Sequence, residues 1–182
     1  MSILKVARMG HPVLRAKART VEPTELRTAP FQKFIDDLAE TMEEYSGIGL
    51  AAPQVHESVR VFVAGIEDSE GEIKVVPFVN PEITPIGSAV DDDWEGCLSI
   101  PDIRGKVPRH REITVRALDR RGRPFEVVFR GFQARVIQHE TDHLDGILFF
   151  DRMRSFESLT FLEEYGRYWA REHHEHEDEE QM

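Results

Sequence analysis

The sequence predicts an α+β fold in which mostly antiparallel sheets pack around a central helix, with an N-terminal and a C-terminal helix as well. Three observations support this prediction. An amphipathic segment comes first, several segments of alternating or β-branched residues follow, and two more amphipathic segments close the chain. No repeating strand–helix unit favours a parallel sheet. At 182 residues the chain is long enough to form one domain with a substantial core.

The first helix is predicted to begin near Ala29. Thr28 is a suitable N-cap, and Pro30 fits the first helical turn, where its missing N–H is not needed. The residues that follow repeat at helical spacing and indicate one buried face, formed by Phe31, Phe34, Ile35, Leu38 and Met42.

Strands are predicted in the middle of the chain. Residues 59–64 alternate between faces, and residues 75–79 are extended up to a predicted turn at Asn80-Pro81. Residues 113–117 and 125–129 flank the turn sequence around Gly122, which predicts a hairpin.

A last helix is predicted over residues 156–169. Its apolar residues fall on one stripe, which indicates packing against the core rather than a partner site. The residues of this stripe are Phe156, Leu159, Leu162, Tyr165 and Trp169.

Composition excludes several classes of function. The formal net charge of −11 argues against general affinity for nucleic acid or for anionic membranes. No apolar run approaches the ~20 residues of a membrane-spanning helix. We expect one catalytic domain over residues 1–172, and an acidic, histidine-rich, disordered tail over residues 173–182.

The N-terminal segment and the cysteine count bear on localisation. Basic residues precede the first acid, Glu22, as in an organellar transit peptide, but the segment is poor in serine and Gly10-His11-Pro12 interrupts any long helix. The single cysteine, Cys97, excludes an intramolecular disulfide. We therefore expect a reducing, cytoplasmic compartment.

The segment from Gln138 to Gly146 contains the motif H-E-x-x-H. On a helix, His139 and His143 lie on one face and can bind one metal ion, with Glu140 beside them to accept a proton from water. The spacing of apolar residues between Gly131 and Gly146 favours a helix. The alternative interpretation is two surface histidines on an acidic helix.

A catalytic metal needs a third protein ligand. A zinc endopeptidase would take Glu163 or Glu164 from the last helix. Cys97 is the stronger candidate, because Glu95-Gly96-Cys97-Leu98-Ser99 places a thiol in a short, turn-flanked segment. A thiolate with two imidazoles suits zinc and ferrous iron.

The segment from Gly47 to Gln54 has the spacing of a dinucleotide-binding fingerprint. We reject that interpretation because a predicted helix precedes the glycines and Pro53 stands where the phosphate-binding helix would run. The two glycines indicate backbone that bends or closely approaches a ligand. The Gln54 amide is placed to donate to a developing oxyanion.

These three segments resemble, in order and spacing, the three signature motifs of peptide deformylase, and the similarity extends from about Gly10 to about Asp151. The resemblance implies removal of the formyl group from the N-terminal formyl-methionine of new polypeptides. It implies one divalent metal on Cys97, His139 and His143, with ferrous iron favoured and zinc or another divalent ion as alternatives.

The resemblance also implies roles for the surrounding residues. Glu140 would move the proton, and the Leu98 N–H and Gln54 would stabilise the oxyanion. The peptide would pair with the backbone of Ile48, Gly49 and Leu50 and near Gly96, with Arg104 beside an apolar methionine pocket.

Two features depart from the family. Arg135 stands where an apolar residue is common, which leaves the polarity of the methionine pocket open. Some bacterial members bind the ribosome through a basic C-terminal helix, and the acidic end of this chain argues against that route.

Overall fold

The computed structural model describes residues 2–170, so the predicted tail and the predicted domain end at residue 172 lie outside the described residues. Two 3₁₀ turns cover Pro12–Arg15 and Ala52–Val55. The α-helices are α1 (Pro23–Leu26), α2 (Ala29–Glu44), α3 (Gly131–Leu144), α4 (Phe149–Arg152) and α5 (Leu162–Tyr168). The strands are β1 (Gly49–Ala51), β2 (Val61–Glu67), β3 (Ile73–Pro85), β4 (Val90–Cys97), β5 (Ile100–His110), β6 (Glu112–Leu118), β7 (Pro124–Arg130) and β8 (Thr160–Phe161).

The strands form two antiparallel sheets, which confirms the predicted α+β class. The larger sheet has the order β1-β2-β3-β6-β7 and the smaller has the order β4-β5-β8. The predicted hairpin is β6–β7, in register from Glu112 opposite Arg130 to Leu118 opposite Pro124. Its turn is stabilised by the Asp119 carboxylate, which accepts the backbone N–H groups of Arg121 and Arg123 at 2.8 and 2.9 Å.

Helix α3 lies between the two sheets. Ala134, Ile137 and Leu144 are fully buried and pack with apolar side chains of the larger sheet such as Phe62 and Phe78. The polar face of α3 carries the two histidines toward the smaller sheet. The helix ends where Gly146 adopts φ +71°, and a Cβ there would lie 2.6 Å from the Arg15 carbonyl oxygen. Packing of the apolar face of α3 against the larger sheet therefore determines where the two histidines on its polar face lie.

Helix α2 begins as predicted, because the Thr28 hydroxyl accepts the N–H of Phe31 at 3.4 Å. Its buried face, from Phe31 to Met42, packs with Leu50, Val61 and Val63 of the larger sheet. This packing anchors the segment that leads from α2 into β1.

The predicted turn at Asn80-Pro81 is wrong, because β3 runs through it to Pro85. The register with β6 shifts between Val79 and Glu82, and Asn80 adopts φ +50°. This is a β-bulge, which tolerates a proline because the ladder hydrogen bond is absent there. The Asn80 side chain is held by both backbone groups of Val21, at 2.9 Å each.

The predicted packing of the last helix is also wrong. The helix begins only at Leu162, after the short strand β8, and no residue of α5 is buried. Phe156 is 68% exposed and Trp169 is 41% exposed. The apolar spacing was real, but a helix of only seven residues cannot present the whole stripe to the core.

Among residues 2–170, no helix is both long enough and apolar enough to cross a membrane.

Candidate active site

Three predicted ligands come together between the two sheets. His139 and His143 are one turn apart on α3, and Cys97 is the last residue of β4. One ligand atom from each lies within 4.8 Å of the others, and Cys97 Sγ is 3.3 Å from His143 Nε2. All three side chains are largely buried. The alternative of two surface histidines is therefore wrong.

Glu163 and Glu164, the ligands that an endopeptidase would need, lie on α5. Their carboxylates pair with Arg167 at 2.9 and 3.2 Å, and neither belongs to the cluster around the histidines. The geometry of the described residues thus gives no support to the endopeptidase alternative.

The site has the chemistry of a metal centre. A thiol and two imidazoles form a ligand set that suits divalent zinc or iron. Burial is the main cause that lowers the pKa of His143 well below its usual range, which keeps this imidazole in the neutral form that binds metal. Glu140 Oε2 is buried and has no hydrogen-bond partner within residues 2–170. An unpaired acceptor there fits a bound water or substrate group.

Glu95 orients the first histidine, a role that the sequence did not predict for it. Its Oε2 lies 2.9 Å from His139 Nδ1, which leaves Nε2 for the metal. Burial alone would raise the pKa of Glu95, but hydrogen bonds from His139 and Arg109 together hold it far below its usual range. The spacing contained a signal for this role, because residues two apart on a regular strand face the same way. Glu95 and Cys97 are indeed both buried, although the pairing of β4 with β5 is irregular between them.

Two buried arginines complete this network. Arg109 donates two hydrogen bonds to Glu95, at 2.8 and 3.0 Å, and a third to Asp142 at 2.5 Å. Arg135 donates to Glu95 at 2.9 Å and to the carbonyl oxygens of Val107 and Asp91 at 2.7 and 2.8 Å. The Arg135 charge is therefore compensated by the underlying strands, although the side chain lines the cleft.

Glu140 lies beside the ligands and is almost fully buried. Desolvation is the main cause that raises its pKa to about 7. Its side chain packs against Gly49 of β1, where a Cβ would lie 2.4 Å from Glu140 Oε1. The second glycine of the Gly47–Gln54 segment therefore provides space for this carboxylate.

Gln54 is held with its amide N–H₂ group toward the site. Its Oε1 accepts the N–H of Ala51 at 2.8 Å, while Nε2 donates to Ser99 Oγ at 3.2 Å and lies 3.5 Å from Cys97 Sγ. Leu98 and Ser99 form the connection between Cys97 and Ile100, which are paired residues of β4 and β5. Gln54 and Leu98 both line the same cleft.

The cleft has a volume of about 830 Å³ and includes Ile48, Gly49, Gly96 and Arg104 among its lining residues. Strands β1 and β4 border it, and each is an edge strand of its sheet among the described residues. Leu50 is fully buried in the core and does not line the cleft itself. Two open strand edges at one cleft suit an extended peptide.

The amino-acid sequence is similar to proteins of a single family. The family model described as polypeptide deformylase matches residues 3–158. The chain is 40% identical over 168 residues to "Peptide deformylase 2" of Nostoc sp., covering 90% of this chain and 93% of the relative. It is 42% identical over 166 residues to "Peptide deformylase 2" of Pseudomonas putida, covering 88% and 93%.

Solved structures agree with the sequence comparisons. A class I type b peptide deformylase from Acinetobacter baumannii with Met-Ala-Ser bound has a TM-score of 0.78 and 40% identity, covering 84% of this chain and 99% of that one. Peptide deformylase from Thermotoga maritima has a TM-score of 0.78 and 37% identity, covering 85% and 100%. The region matched by the family model contains every residue that lines the cleft except Leu162.

Proposed function

The chain belongs to the polypeptide deformylase family and is a metal-dependent hydrolase that removes N-terminal formyl groups; from this premise we propose how its own residues carry out the reaction on formyl-methionyl peptides. The observation that carries the proposal is the buried, unpaired Glu140 carboxylate beside the cluster of Cys97, His139 and His143.

We assign the metal to Cys97, His139 and His143, with ferrous iron as the ion and zinc as the alternative. The thiolate and two imidazoles suit both ions. Such an ion supplies Lewis acidity, which makes water more acidic and polarises a carbonyl oxygen. Glu95 supports this assignment because its hydrogen bond to His139 Nδ1 directs the opposite ring nitrogen to the site.

Glu140 is proposed as the group that moves the proton. Desolvation raises the pKa of Glu140, which makes its carboxylate a stronger base for the proton that water loses as the water oxygen attacks the formyl carbon. When the C–N bond breaks, the protonated Glu140 returns the proton to the leaving amine, and formate departs with the added oxygen. The buried position excludes bulk water from this exchange.

The developing negative charge on the formyl oxygen needs donors that are already in place. We assign this role to the Gln54 Nε2–H₂ group and the backbone N–H of Leu98. Gln54 has no freedom to turn its donor away, because Oε1 is held by the Ala51 N–H and the side chain is buried.

The peptide is proposed to pair with both open strand edges. Ile48, Gly49 and Leu50 would present backbone groups on one side and Gly96 on the other, with Arg104 beside it. The methionine side chain would enter the part of the cleft lined by Phe132 and Val136. Because the Arg135 guanidinium is occupied by Glu95 and backbone carbonyls, it leaves this part of the cleft available to an apolar side chain.

The substrates are new polypeptides, so we place the enzyme in a bacterial-type cytoplasm, an organelle being the alternative. We do not propose ribosome binding through a basic C-terminal helix. Arg167 on α5 is already paired with Glu163 and Glu164.

The decisive experiment uses protein purified without oxygen and loaded with ferrous iron. Incubation with formyl-Met-Ala-Ser should release formate and leave a peptide lighter by one carbonyl unit. Formyl-Gly-Ala-Ser should react more slowly, because burial of the methionine side chain contributes a few kcal/mol. Cleavage of internal peptide bonds with the formyl group intact would instead indicate an endopeptidase.

A further inference from the structure

In the part of the chain that the structure describes, three basic side chains at the mouth of the cleft have no ion-pair partner. Lys5, Arg8 and Arg104 all line it. Elsewhere on the described surface, basic residues commonly have carboxylate partners, as Arg111 has Asp91. Within residues 2–170, no carboxylate lies within ion-pair distance of Lys5, Arg8 or Arg104, and Arg104 Nη1 donates to the carbonyl oxygen of Ile103 at 3.0 Å. Unpaired cations beside a cleft on a chain of net charge −11 need an explanation.

The backbone holds Arg8 in place at the cleft. The N–H of Ala7 donates to the carbonyl of Gln54 at 2.7 Å, and the N–H of Met9 donates to the carbonyl of Ser99 at 2.8 Å. Arg8 is therefore fixed between the two segments that carry Gln54 and Leu98. Ala7 is buried in the same apolar cluster as Cys97, whereas Lys5 and Arg8 are exposed. The N-terminal segment thus forms one wall of the cleft and presents its basic side chains at the mouth.

Arg104 lies on the opposite wall. Its guanidinium covers Gly96 so closely that a Cβ at Gly96 would lie 1.9 Å from Arg104 Nη1. The acidic groups that line the same cleft are Glu95, Asp102 and Glu140. Glu95 is neutralised by Arg109 and Arg135, and Glu140 lies at the floor, which leaves Asp102 as the acid at the mouth. Among the described residues that line the cleft, the mouth therefore carries more positive than negative charge.

We infer that Lys5, Arg8 and Arg104 select substrates with acidic side chains in the two residues that follow the formyl-methionine. This inference rests on the proposed function, because it takes the formyl end to lie at Glu140. A peptide anchored there leaves through the mouth, so its second and third residues pass the three cations. Exposed ion pairs are individually weak, but several cations acting on one anion add to the attraction and speed association.

The test compares formyl-Met-Ala-Ser-amide with formyl-Met-Glu-Asp-amide and formyl-Met-Gln-Asn-amide, whose amide ends remove the terminal carboxylate. The acidic peptide should have kcat/KM about three- to tenfold above that of its Gln-Asn counterpart at about 0.05 M salt, and the ratio should approach one at about 0.5 M. In the double variant Lys5→Gln, Arg8→Gln, this ratio of kcat/KM values should fall close to one even at low salt.

The matched control is Lys17→Gln, Arg121→Gln, which removes the same charge at two exposed positions outside the cleft. It should retain the ratio of the parent. Equal rates for acidic and neutral peptides in the parent, or an equal loss in both double variants, would overturn the inference. Absence of formate from formyl-Met-Ala-Ser-amide would instead overturn the proposed function, so the two failures are distinguishable.

Discussion

Gly49 and Glu140 are packed so closely that a Cβ added to Gly49 would lie 2.4 Å from Oε1 and 2.7 Å from Cδ of the carboxylate. The two residues come from the first and third motifs and meet where the edge of the larger sheet contacts helix α3. This contact fixes the rotamer of Glu140, and it explains a glycine that needs no unusual backbone angle, since Gly49 does not have a positive φ.

Gly49→Ala should lower kcat/KM about 10²-fold, because the new methyl group displaces the Glu140 carboxylate, and misplacement of about 1 Å has effects of that size. The assay is formate release from formyl-Met-Ala-Ser. Gly166→Ala is the control, since nothing lies within 4 Å of its added Cβ, and it should keep full activity. Normal activity in Gly49→Ala would show that this contact does not position Glu140.

Glu140→Gln should lower turnover by about 10²–10⁴-fold or more, because the amide keeps the shape of the carboxylate but cannot accept the proton. The metal content should remain that of the parent, as measured by elemental analysis. A variant with bound metal and normal turnover would mean that another group moves the proton.

Much of the fold and site follows from local patterns. The Thr28 cap, the β6–β7 hairpin and the helical spacing of His139 and His143 are properties of short segments, and the structure has all three. The predictions were wrong where contacts between distant segments determine the local conformation. The β-bulge at Asn80 depends on Val21 and Arg60 from distant segments.

The same distinction applies to the site. A motif can predict that Cys97, His139 and His143 meet, but the ion pairs of Glu95 with Arg109 and Arg135 join three segments that no local pattern connects. Likewise, the exposed position of α5 depends on the short strand β8, which forms only because Ile103 and Arg104 pair with it.

Glu95→Gln should destabilise the protein by about 3–5 kcal/mol, because Arg109 and Arg135 would keep their buried charges without this partner. Metal affinity should fall about 10–100-fold as His139 loses its orienting carboxylate. Urea unfolding and metal titration measure the two effects separately. Asp91→Asn on the same strand is the control, since its pair with Arg111 is exposed and should contribute less than about 1 kcal/mol.

Cys97→Ala should remove most of the bound metal, because two imidazoles alone leave an incomplete ligand set. Elemental analysis of protein that lacks residues 173–182 keeps the three histidines of that segment from contributing to the result. Full metal content in this variant would contradict the assignment of Cys97 as a ligand.

The buried carboxylate should make the metal-free protein less stable at high pH. The pKa of Glu140 is about 7 in the folded chain against 4.5 as its ordinary value, so the folded state binds more protons between these pH values. The titration of Glu140 therefore leaves the free energy of unfolding unchanged below about pH 4 and lowers it as the pH rises through 7. The loss at pH 8 is about 3 kcal/mol, from a shift of roughly 2.5 units at 1.36 kcal/mol each.

Glu140→Gln removes this titration. After the metal is removed with a chelator, the free energy of unfolding of the variant should therefore exceed that of the parent by about 3 kcal/mol at pH 8, and the two should not differ in this way at pH 4. Urea unfolding at both pH values measures the difference. Glu157→Gln is the control, because Glu157 is exposed and its replacement should leave the pH dependence of the parent unchanged. Restoring the metal to the parent should reduce the difference, since a nearby cation favours the Glu140 carboxylate. A gain of the same size at both pH values would show that Glu140 titrates normally in the folded protein.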